Sequence, residues 1–205
     1  WDDLTAFQRL LILRTLRPDA LLPAIRSFVA GELGDELIPF HSDLSYLERP
    51  GNLSVLYAVE LPATGGQTQW CNCTAAYAAL DDAMKKKLKG MRAVHRHHVE
   101  AQNPVVHIAH PIVRTHPETG RRSLYVGPHL TRYVAGVNRA DGDALLAVLY
   151  AHIDQPQFIW THEWRIGDVV LFDNRPTMHR RLAFPPDQRR LMKRTQIFND
   201  EIPVE

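Results

Sequence analysis

The sequence predicts a mainly β protein, a sandwich or barrel that carries a few helices on its outside. Runs rich in β-forming residues recur from about residue 38 onward, as in "NLSVLYAVEL" (52–61) and "HPIVRTHPETGRRSLYVGP" (110–128). Turn sequences such as "PATGG" and "PETG" end or divide these runs. Only a few helical segments lie between them. Several strands with interspersed helices are typical of a β-rich core in one domain.

Length and composition limit the classes of function. The 205 residues suit one domain, perhaps with an appendage, and the 45% hydrophobic and 23% charged content is ordinary for a globular protein. A net charge of +1 gives no electrostatic reason to expect nucleic acid or a membrane surface as a partner. No apolar run is long enough to span a bilayer. The two cysteines, Cys71 and Cys73, cannot form a disulfide framework, which indicates a reducing compartment.

The first 34 residues are predicted to be a helical appendage, with two helices between residues 4 and 33. Apolar residues in "LTAFQRLLILRTL" recur at nearly the helical period, and Pro18 ends the first helix. Asp19 can cap the second helix, which stops at Gly34. Because the chain begins with Trp1 rather than Met, we expect a fragment or a trimmed chain.

The remaining elements follow from periodicity and turn signals. One amphipathic helix is predicted over 74–91 with Thr74 as its cap, and another over 138–156. The other predicted elements are a strand at 52–61, a short strand in "TQWCNC", a strand–turn–strand at 110–128, a strand followed by a loop at 164–181, and a final strand at 189–200.

Candidate metal ligands occur in "IPFHSDLSYLERPG" (38–51), where His41 and Asp43 are two residues apart. On a strand these positions share a face, so both side chains could bind one metal ion. Taken alone, an ordinary hydrogen-bonded pair is the more common arrangement. A third candidate, His179, follows the strand in "GDVVLFDN". Two histidines and one carboxylate are the ligands of the facial triad that holds non-haem Fe(II) and leaves coordination positions open.

Candidate anion ligands lie near the end of the chain. Arg190 and Arg194 are four residues apart, so a strand would present both guanidinium groups on one face. A guanidinium binds carboxylate or sulfonate through two parallel hydrogen bonds. Thr68 could add a hydroxyl donor. The alternative is a solvated basic face shared with Arg189 and Lys193.

Other polar residues are expected to have structural roles. The histidine cluster at 95–98 is more often a partly exposed strand feature than a second metal site. Asn174 and Arg175 are predicted to order the loop before His179 and so to orient the His179 side chain.

From His41 to about residue 198 the sequence resembles the taurine dioxygenase family of Fe(II)/2-oxoglutarate-dependent dioxygenases. The resemblance implies a double-stranded β-helix, or jelly roll, over residues 35–205, N-terminally truncated relative to the family. Leu37 and Phe40 stand where taurine-specific members have Asn and Trp, so taurine itself is not implied. The similar segments are "FHSDLSYLERPG", "LPATGGQTQW", "HPIVRTHPETGRRSLYVGP", "WRIGDVVLFDNRPTMHRR" and "RRLMKRTQIF".

The resemblance also implies roles for individual residues. His41, Asp43 and His179 would bind iron, and Thr68 with Arg190 would bind the distal carboxylate of the co-substrate 2-oxoglutarate. Arg194 would face the acidic end of the primary substrate or help to hold 2-oxoglutarate.

The implied activity is hydroxylation of a small anionic substrate such as a sulfonate, a sulfate ester or a carboxylate. O2 and 2-oxoglutarate would be consumed, and succinate and CO2 released. The need for reduced iron favours the cytoplasm, and family members form dimers or tetramers, so a homo-oligomer is also expected.

Two alternatives remain open from the sequence. Residues 1–34 resemble a helical segment in the C-terminal motor region of dynein heavy chains, notably "FQRLLILRTLRPD". A truncated jelly roll joined to such a segment could be a catalytically inactive binding module. A hydrolytic zinc site on the same three ligands is a weaker alternative, because it leaves Arg190 and Arg194 without a role.

Overall fold

The computed structural model describes residues 11–13, 34–198 and 200–205. Its three α-helices within these ranges are α1 (Cys73–Ala78), α2 (Asp82–Leu88) and α3 (Arg139–Ile153), with short 3-10 helices at Glu100–Gln102 and Pro156–Phe158. None of the helices among these residues has the length and apolar character needed to cross a membrane. The strands are β1 (Leu11–Leu13), β2 (Ile38–His41), β3 (Leu53–Glu60), β4 (Thr68–Asn72), β5 (Arg92–His95), β6 (Ile108–Pro111), β7 (Val113–Thr115), β8 (Arg122–Leu124), β9 (Thr131–Val134), β10 (Ile159–His162), β11 (Val169–Asp173), β12 (Thr177–Arg181) and β13 (Leu191–Ile197).

Two four-stranded antiparallel sheets form the centre of the fold. The first has the strand order β1-β11-β3-β13 and the second has the order β10-β4-β12-β2. Leu56 and Phe172 of the first sheet pack against Trp70 of the second, and all three are buried. This arrangement confirms the predicted mainly β fold and the jelly roll. The candidate metal ligands lie between the two sheets.

The opposite face of the second sheet is also covered, so this sheet is buried on both sides. Cys71 and Met178 point away from Trp70 and join a larger apolar cluster that includes Leu145 and Leu149 of α3. A three-stranded sheet, β6-β5-β9, and the two-stranded sheet β7-β8 add residues to the same cluster. Because side chains alternate along a strand, one strand supplies both cores.

Asparagine and aspartate side chains set where the helices begin. Asn138 caps α3 by accepting a hydrogen bond from the Asp141 N–H at 3.0 Å, as the predicted helix over 138–156 requires. The single helix predicted over 74–91 is wrong, because the chain forms α1 and α2 instead. Asn72 caps α1 rather than Thr74, and the extended backbone of Asp81 starts α2.

The N-terminal prediction is wrong for the part of it that the structure describes. Leu11–Leu13 is a strand that pairs with Val169–Leu171 of β11. Hydrogen bonds to Leu11–Leu13 satisfy the backbone N–H and carbonyl groups at the edge of β11. This strand pairing outweighs the helical propensity that the apolar period of the segment indicates. The rest of the two predicted helices, residues 4–10 and 14–33, lies outside the described residues. The division into residues 1–34 and 35–205 stays a prediction.

The C-terminal segment 200–205 packs back on the core and neutralises a buried cation. The Arg114 side chain is 1% exposed, its Nη2 lies 2.5 Å from Glu201 Oε1, and its guanidinium lies over the Tyr125 ring. The Thr115 N–H donates to the Val204 carbonyl at 2.8 Å. A buried guanidinium without this carboxylate would be strongly destabilising, so the segment is part of the folded domain.

Two buried histidines predict how stability changes with pH. Burial lowers the pKa of His95 to about 3 and the pKa of His110 to about 4, against 6.5 for an unfolded chain. Between these values the unfolded state binds more protons, so the free energy of unfolding falls as the pH drops below 6.5. At pH 5 each of these two histidines should have lowered the free energy of unfolding by about 2 kcal/mol.

Urea unfolding at pH 7.5 and pH 5.0 measures this effect. His95→Gln should show a smaller loss of stability between the two pH values than the wild type does. His107→Gln is the matched control, because His107 is exposed. An unchanged pH dependence in His95→Gln would contradict the assignment.

Candidate metal centre

His41, Asp43 and His179 converge between the two central sheets. His41 ends β2 and lies opposite His179 of β12 in the antiparallel register, with 4.3 Å between the ring centroids. Asp43 Oδ1 lies 3.7 Å from His41 Nε2 and 3.9 Å from His179 Nε2. One donor atom from each residue lies within 4.8 Å of the other two, and no other group of this kind occurs in the described part of the chain. The structure therefore brings together the three ligands that the sequence predicted.

The local structure that brings Asp43 and His179 together differs from the prediction. β2 ends at His41, so Asp43 lies in a turn rather than on the same strand face. The turn places Leu44 in the left-handed region, at φ 58°, and brings the Ser45 N–H to the Ser42 carbonyl. His179 lies within a strand, not in the predicted loop. The carboxylate reaches the histidines because the chain turns there, not because of strand alternation.

The two imidazoles are neutral and have a free nitrogen. His41 Nδ1 lies 2.8 Å from the Pro39 carbonyl, which can only accept, so Nδ1 carries the hydrogen and Nε2 faces Asp43 with its lone pair. Burial lowers the pKa of His41 to about 4 and also lowers the pKa of His179. Both rings are thus ready to coordinate a metal ion at neutral pH.

The Asp43 carboxylate is held as an anion despite its burial. Burial alone would raise the pKa of Asp43, but it is held well below the usual range of a carboxyl group by positive charge on His179, Arg194 and His41, the two histidines being protonated at the low pH where Asp43 titrates. Ser54 Oγ donates to Asp43 Oδ2 at 3.0 Å, which leaves Oδ1 toward the histidines. Two neutral imidazoles and one carboxylate fit the donor set of a non-haem Fe(II) site.

Arg194 reaches the same carboxylate from the first sheet. Its Nη1 lies 2.8 Å from Asp43 Oδ1, and its side chain is 36% exposed against 4% for that of Asp43. The sequence placed Arg194 beside the metal as an anion clamp. The structure shows a guanidinium that contacts a metal-ligand candidate on one side and reaches solvent on the other.

Arg190 and Thr68 meet in a second polar site. Arg190 Nε donates to the Gly66 carbonyl at 2.9 Å, and Nη2 donates to Thr68 Oγ1 at 3.3 Å. Trp164 Nε1 also donates to Thr68 Oγ1, at 2.9 Å. Because these two donors occupy the oxygen, the Thr68 hydroxyl hydrogen is directed to another acceptor. Gly66 has a φ of 69°, and a Cβ there would lie 3.0 Å from Arg190 Cδ, so glycine allows this approach.

The prediction that Arg190 and Arg194 share one strand face is wrong. Arg190 precedes β13, and the register of β13 against β3 shifts between Leu191 and Met192. The two guanidinium groups therefore have different partners. They form two separate cationic positions at the site.

Sequence reasoning missed or misplaced several supporting residues. Asn174 bonds to the turn that carries Asp43, not to the loop before His179 as predicted. Arg175 does order this loop as predicted, because its backbone N–H and its Nε both donate to Asp173 Oδ1, and it also pairs with Glu118. Nothing in the sequence distinguishes Ser54, and only the inward side of β3 indicates that it is buried.

The histidines of the 95–98 cluster lie in two different environments. His95 is buried and its Nδ1 lies 3.0 Å from Ser45 Oγ, whereas the rings of His97 and His98 pack on each other at 4.2 Å. Cys71 and Cys73 are buried free thiols.

Comparisons with known proteins agree with the geometry. Residues 15–196 match the family described as "Taurine catabolism dioxygenase TauD, TfdA family". The alpha-ketoglutarate-dependent 2,4-dichlorophenoxyacetate dioxygenase of Burkholderia sp. (strain RASC) is 35% identical over 81% of the chain. The alpha-ketoglutarate-dependent sulfate ester dioxygenase of Pseudomonas putida is 31% identical over 85% of the chain. The chain spans 59% and 64% of the lengths of these two relatives.

Solved structures give the same result. A taurine dioxygenase from Burkholderia xenovorans matches with a TM-score of 0.74 and 35% identity, covering 86% of this chain and 65% of that one. AAD-2 in complex with Mn(II) and N-oxalylglycine matches with a TM-score of 0.74 and 33% identity, covering 80% of this chain and 65% of that one.

Removing one of the three ligands should abolish binding of a divalent metal ion. We expect His179→Ala and Asp43→Asn to weaken Mn(II) affinity by more than about 100-fold. The loss of a hydrogen bond that only orients a metal ligand already weakens metal affinity by about 10- to 100-fold. Titration followed by the electron paramagnetic resonance signal of free Mn(II) measures it. His129→Ala is the control, because that ring packs 5.1 Å from His41 but belongs to no group of converging donors. Equal affinities in all three variants would contradict the site.

Proposed function

The chain belongs to the taurine catabolism dioxygenase TauD, TfdA family, and from this membership we propose that it is an Fe(II)- and 2-oxoglutarate-dependent dioxygenase that hydroxylates a small anionic substrate. One observation carries the proposal: two neutral imidazoles and a buried carboxylate converge at Asp43 Oδ1, with the Arg190–Thr68 site on the same face of the sheet. When bound, Fe(II) and 2-oxoglutarate would activate O2, yield succinate and CO2, and place one oxygen atom in a substrate C–H bond.

The strand register supports 2-oxoglutarate as the co-substrate. Trp70 lies opposite His179, and Thr68 lies opposite Arg181, two residues further along the same pair of strands. Two residues on a strand span about 7 Å, comparable with the length of a five-carbon dicarboxylate. One carboxylate would thus reach the metal while the other reaches Thr68 and Arg190.

The Arg190 site has the charge that an anion requires. Burial, with a smaller effect from Arg181, lowers the pKa of Arg190 to about 10. A bound carboxylate would relieve this loss of solvation and the repulsion between the two cations. The free Thr68 hydroxyl hydrogen would add a third donor, so the distal carboxylate of 2-oxoglutarate satisfies the whole group.

Arg194 is the group we assign to the primary substrate. Its guanidinium borders the metal ligands and is partly exposed, so a substrate anion can bind it from the solvent side. The relatives named above act on a phenoxyacetate and on sulfate esters, all of which are anions. We therefore propose a carboxylate, sulfonate or sulfate ester as substrate, held by Arg194 while the C–H bond faces the metal.

The proposal also covers the cellular setting. Ferrous iron is kept reduced most easily in the cytoplasm, which we propose as the location. The proposed small-molecule reactants besides the primary substrate are O2 and 2-oxoglutarate. The proposed assembly is a homo-oligomer.

Anaerobic titration with Fe(II) and 2-oxoglutarate tests the function directly. The chelate should give a weak visible charge-transfer band in the wild type and none in His179→Ala. Succinate formation with a panel of aryloxyacetates, alkyl sulfonates and alkyl sulfate esters then identifies the substrate class. A folded protein that gives neither band nor succinate would support the inactive binding module instead.

Arg190→Gln should weaken 2-oxoglutarate binding. A hydrogen bond to a charged group contributes about 1.5–3 kcal/mol, so the KM for 2-oxoglutarate should rise by about 10- to 100-fold. Arg189→Gln is the matched control, because the Arg189 side chain is 80% exposed and pairs with Glu60 at the surface. The KM is measured from succinate release. Equal KM values in the two variants would disprove the assignment of Arg190.

Arg194→Gln should separate substrate binding from co-substrate binding. The KM for the anionic substrate should rise by about 10- to 100-fold, because one charged hydrogen-bonding partner is lost. The KM for 2-oxoglutarate should change far less. Both constants come from the same succinate assay, with Arg189→Gln again as control. A larger rise for 2-oxoglutarate than for the substrate would move Arg194 to the co-substrate site.

A further inference from the structure

We infer that Asn174 is a positioning residue of the metal centre, because its carboxamide holds the backbone of Asp43 in the one orientation that directs the carboxylate to the two histidines. The residue lies between β11 and β12, and its side chain is fully buried. The inference rests on the proposed metal site. Asn174 would contact neither metal nor substrate and would act only through Asp43.

The Asn174 carboxamide uses all of its hydrogen-bonding capacity. Nδ2 donates to the carbonyls of Asp43 at 3.0 Å and Gly51 at 2.7 Å. Oδ1 accepts from the Asp43 N–H at 2.8 Å and lies 3.1 Å from Ser42 Oγ, whose single hydrogen is shared between Oδ1 and the Asn174 carbonyl. Two donors and two acceptor sites are all that an amide side chain has. Both backbone groups of Asp43 are therefore bonded to one side chain.

The backbone of Asn174 is fixed as well, which makes it a rigid support. Its N–H donates to the Asn52 carbonyl at 2.8 Å, and its carbonyl accepts from Ser42 Oγ at 2.7 Å. Five residues later in the chain comes His179, which is held in β12 between β2 and β4. The turn that carries Asp43 is thus tied to the end of the segment that carries His179.

Among the residues that the structure describes, no other side chain bonds the backbone of Asp43. Asp43 is 3% exposed, so bulk water does not reach its N–H and carbonyl in the folded protein. Ser54 fixes only the carboxylate oxygen Oδ2, and Arg194 contacts Oδ1. Without Asn174 the turn must rearrange to satisfy its backbone, and a displacement of about 0.5 Å is enough to spoil a metal site.

A purely structural role for Asn174 is the competing explanation, and Asn72 allows the two to be separated. Asn72 is also buried, and its side chain also bonds a backbone N–H, that of Ala75, at 2.9 Å. It caps α1 and makes none of the contacts described above to the Asp43 turn. Loss of either carboxamide should reduce stability, but only the loss of Asn174 should change metal affinity.

The experiment compares Mn(II) affinity and urea unfolding for the wild type, Asn174→Ala, Asn174→Ser and Asn72→Ala. We expect all three variants to be less stable than the wild type. Mn(II) affinity should fall by about 10- to 100-fold in Asn174→Ala, less in Asn174→Ser, and within twofold of the wild type in Asn72→Ala. The visible spectrum of bound Co(II) should change only in the Asn174 variants.

Each other outcome overturns a stated claim. Wild-type affinity and an unchanged Co(II) spectrum in folded Asn174→Ala would reject the positioning role. Failure of both Asn174 variants to fold, with Asn72→Ala folded, would assign Asn174 to the fold itself and reject the role as well. Absence of Mn(II) binding by the folded wild type would instead reject the proposed metal centre, so the two failures can be told apart.

Discussion

The buried carboxylate of Asp43, whose side chain is 4% exposed, is the constraint around which the centre of this protein is built. An ion in that position is tolerated only when hydrogen bonds and opposite charge replace the water it has lost. Arg194 and Ser54 supply this compensation to its two oxygens. Asn174 satisfies the backbone of the same residue. The buried anion is what lets two neutral imidazoles form a metal site.

The architecture brings these compensating groups from distant parts of the chain. Arg194 and Ser54 come from the first central sheet, and His179 comes from the second. Burial of the second sheet on both faces keeps β2 and β12 in register, so His41 and His179 are opposed across one strand pair. The apolar packing of Trp70, which lies opposite His179 on β4, thereby fixes the separation of the metal ligands.

Two cationic side chains of different exposure lie at the candidate site. Arg190 lies in a confined position with Thr68, whereas Arg194 is partly open to solvent. Under the proposed function, the inner position would hold the end of a dicarboxylate of defined length. The outer position would accept anions whose remaining parts differ in size, and the relatives are named for substrates of different size.

Local sequence determined the types of residue at the site and several of the strands. The candidate ligands His41, Asp43 and His179 and the pair Arg190 and Thr68 were predicted from residue type together with the family resemblance. Strands such as β3 and β13 follow from periodicity. Boundaries were less predictable, because Asn72 and Asp81 each begin a separate short helix and because Leu11–Leu13 pairs with a strand far along the chain.

Only the tertiary structure decided how these residues meet. Asp43 reaches the histidines through a turn, Arg190 and Arg194 point to different partners, and Asn174 supports Asp43 rather than His179. Apart from the contact of Asp43 with His41, these contacts join residues more than 100 positions apart, as Asn174 and Asp43 are. The physical reason is that a hydrogen bond depends on positions in space, whereas local sequence patterns carry only propensity and spacing.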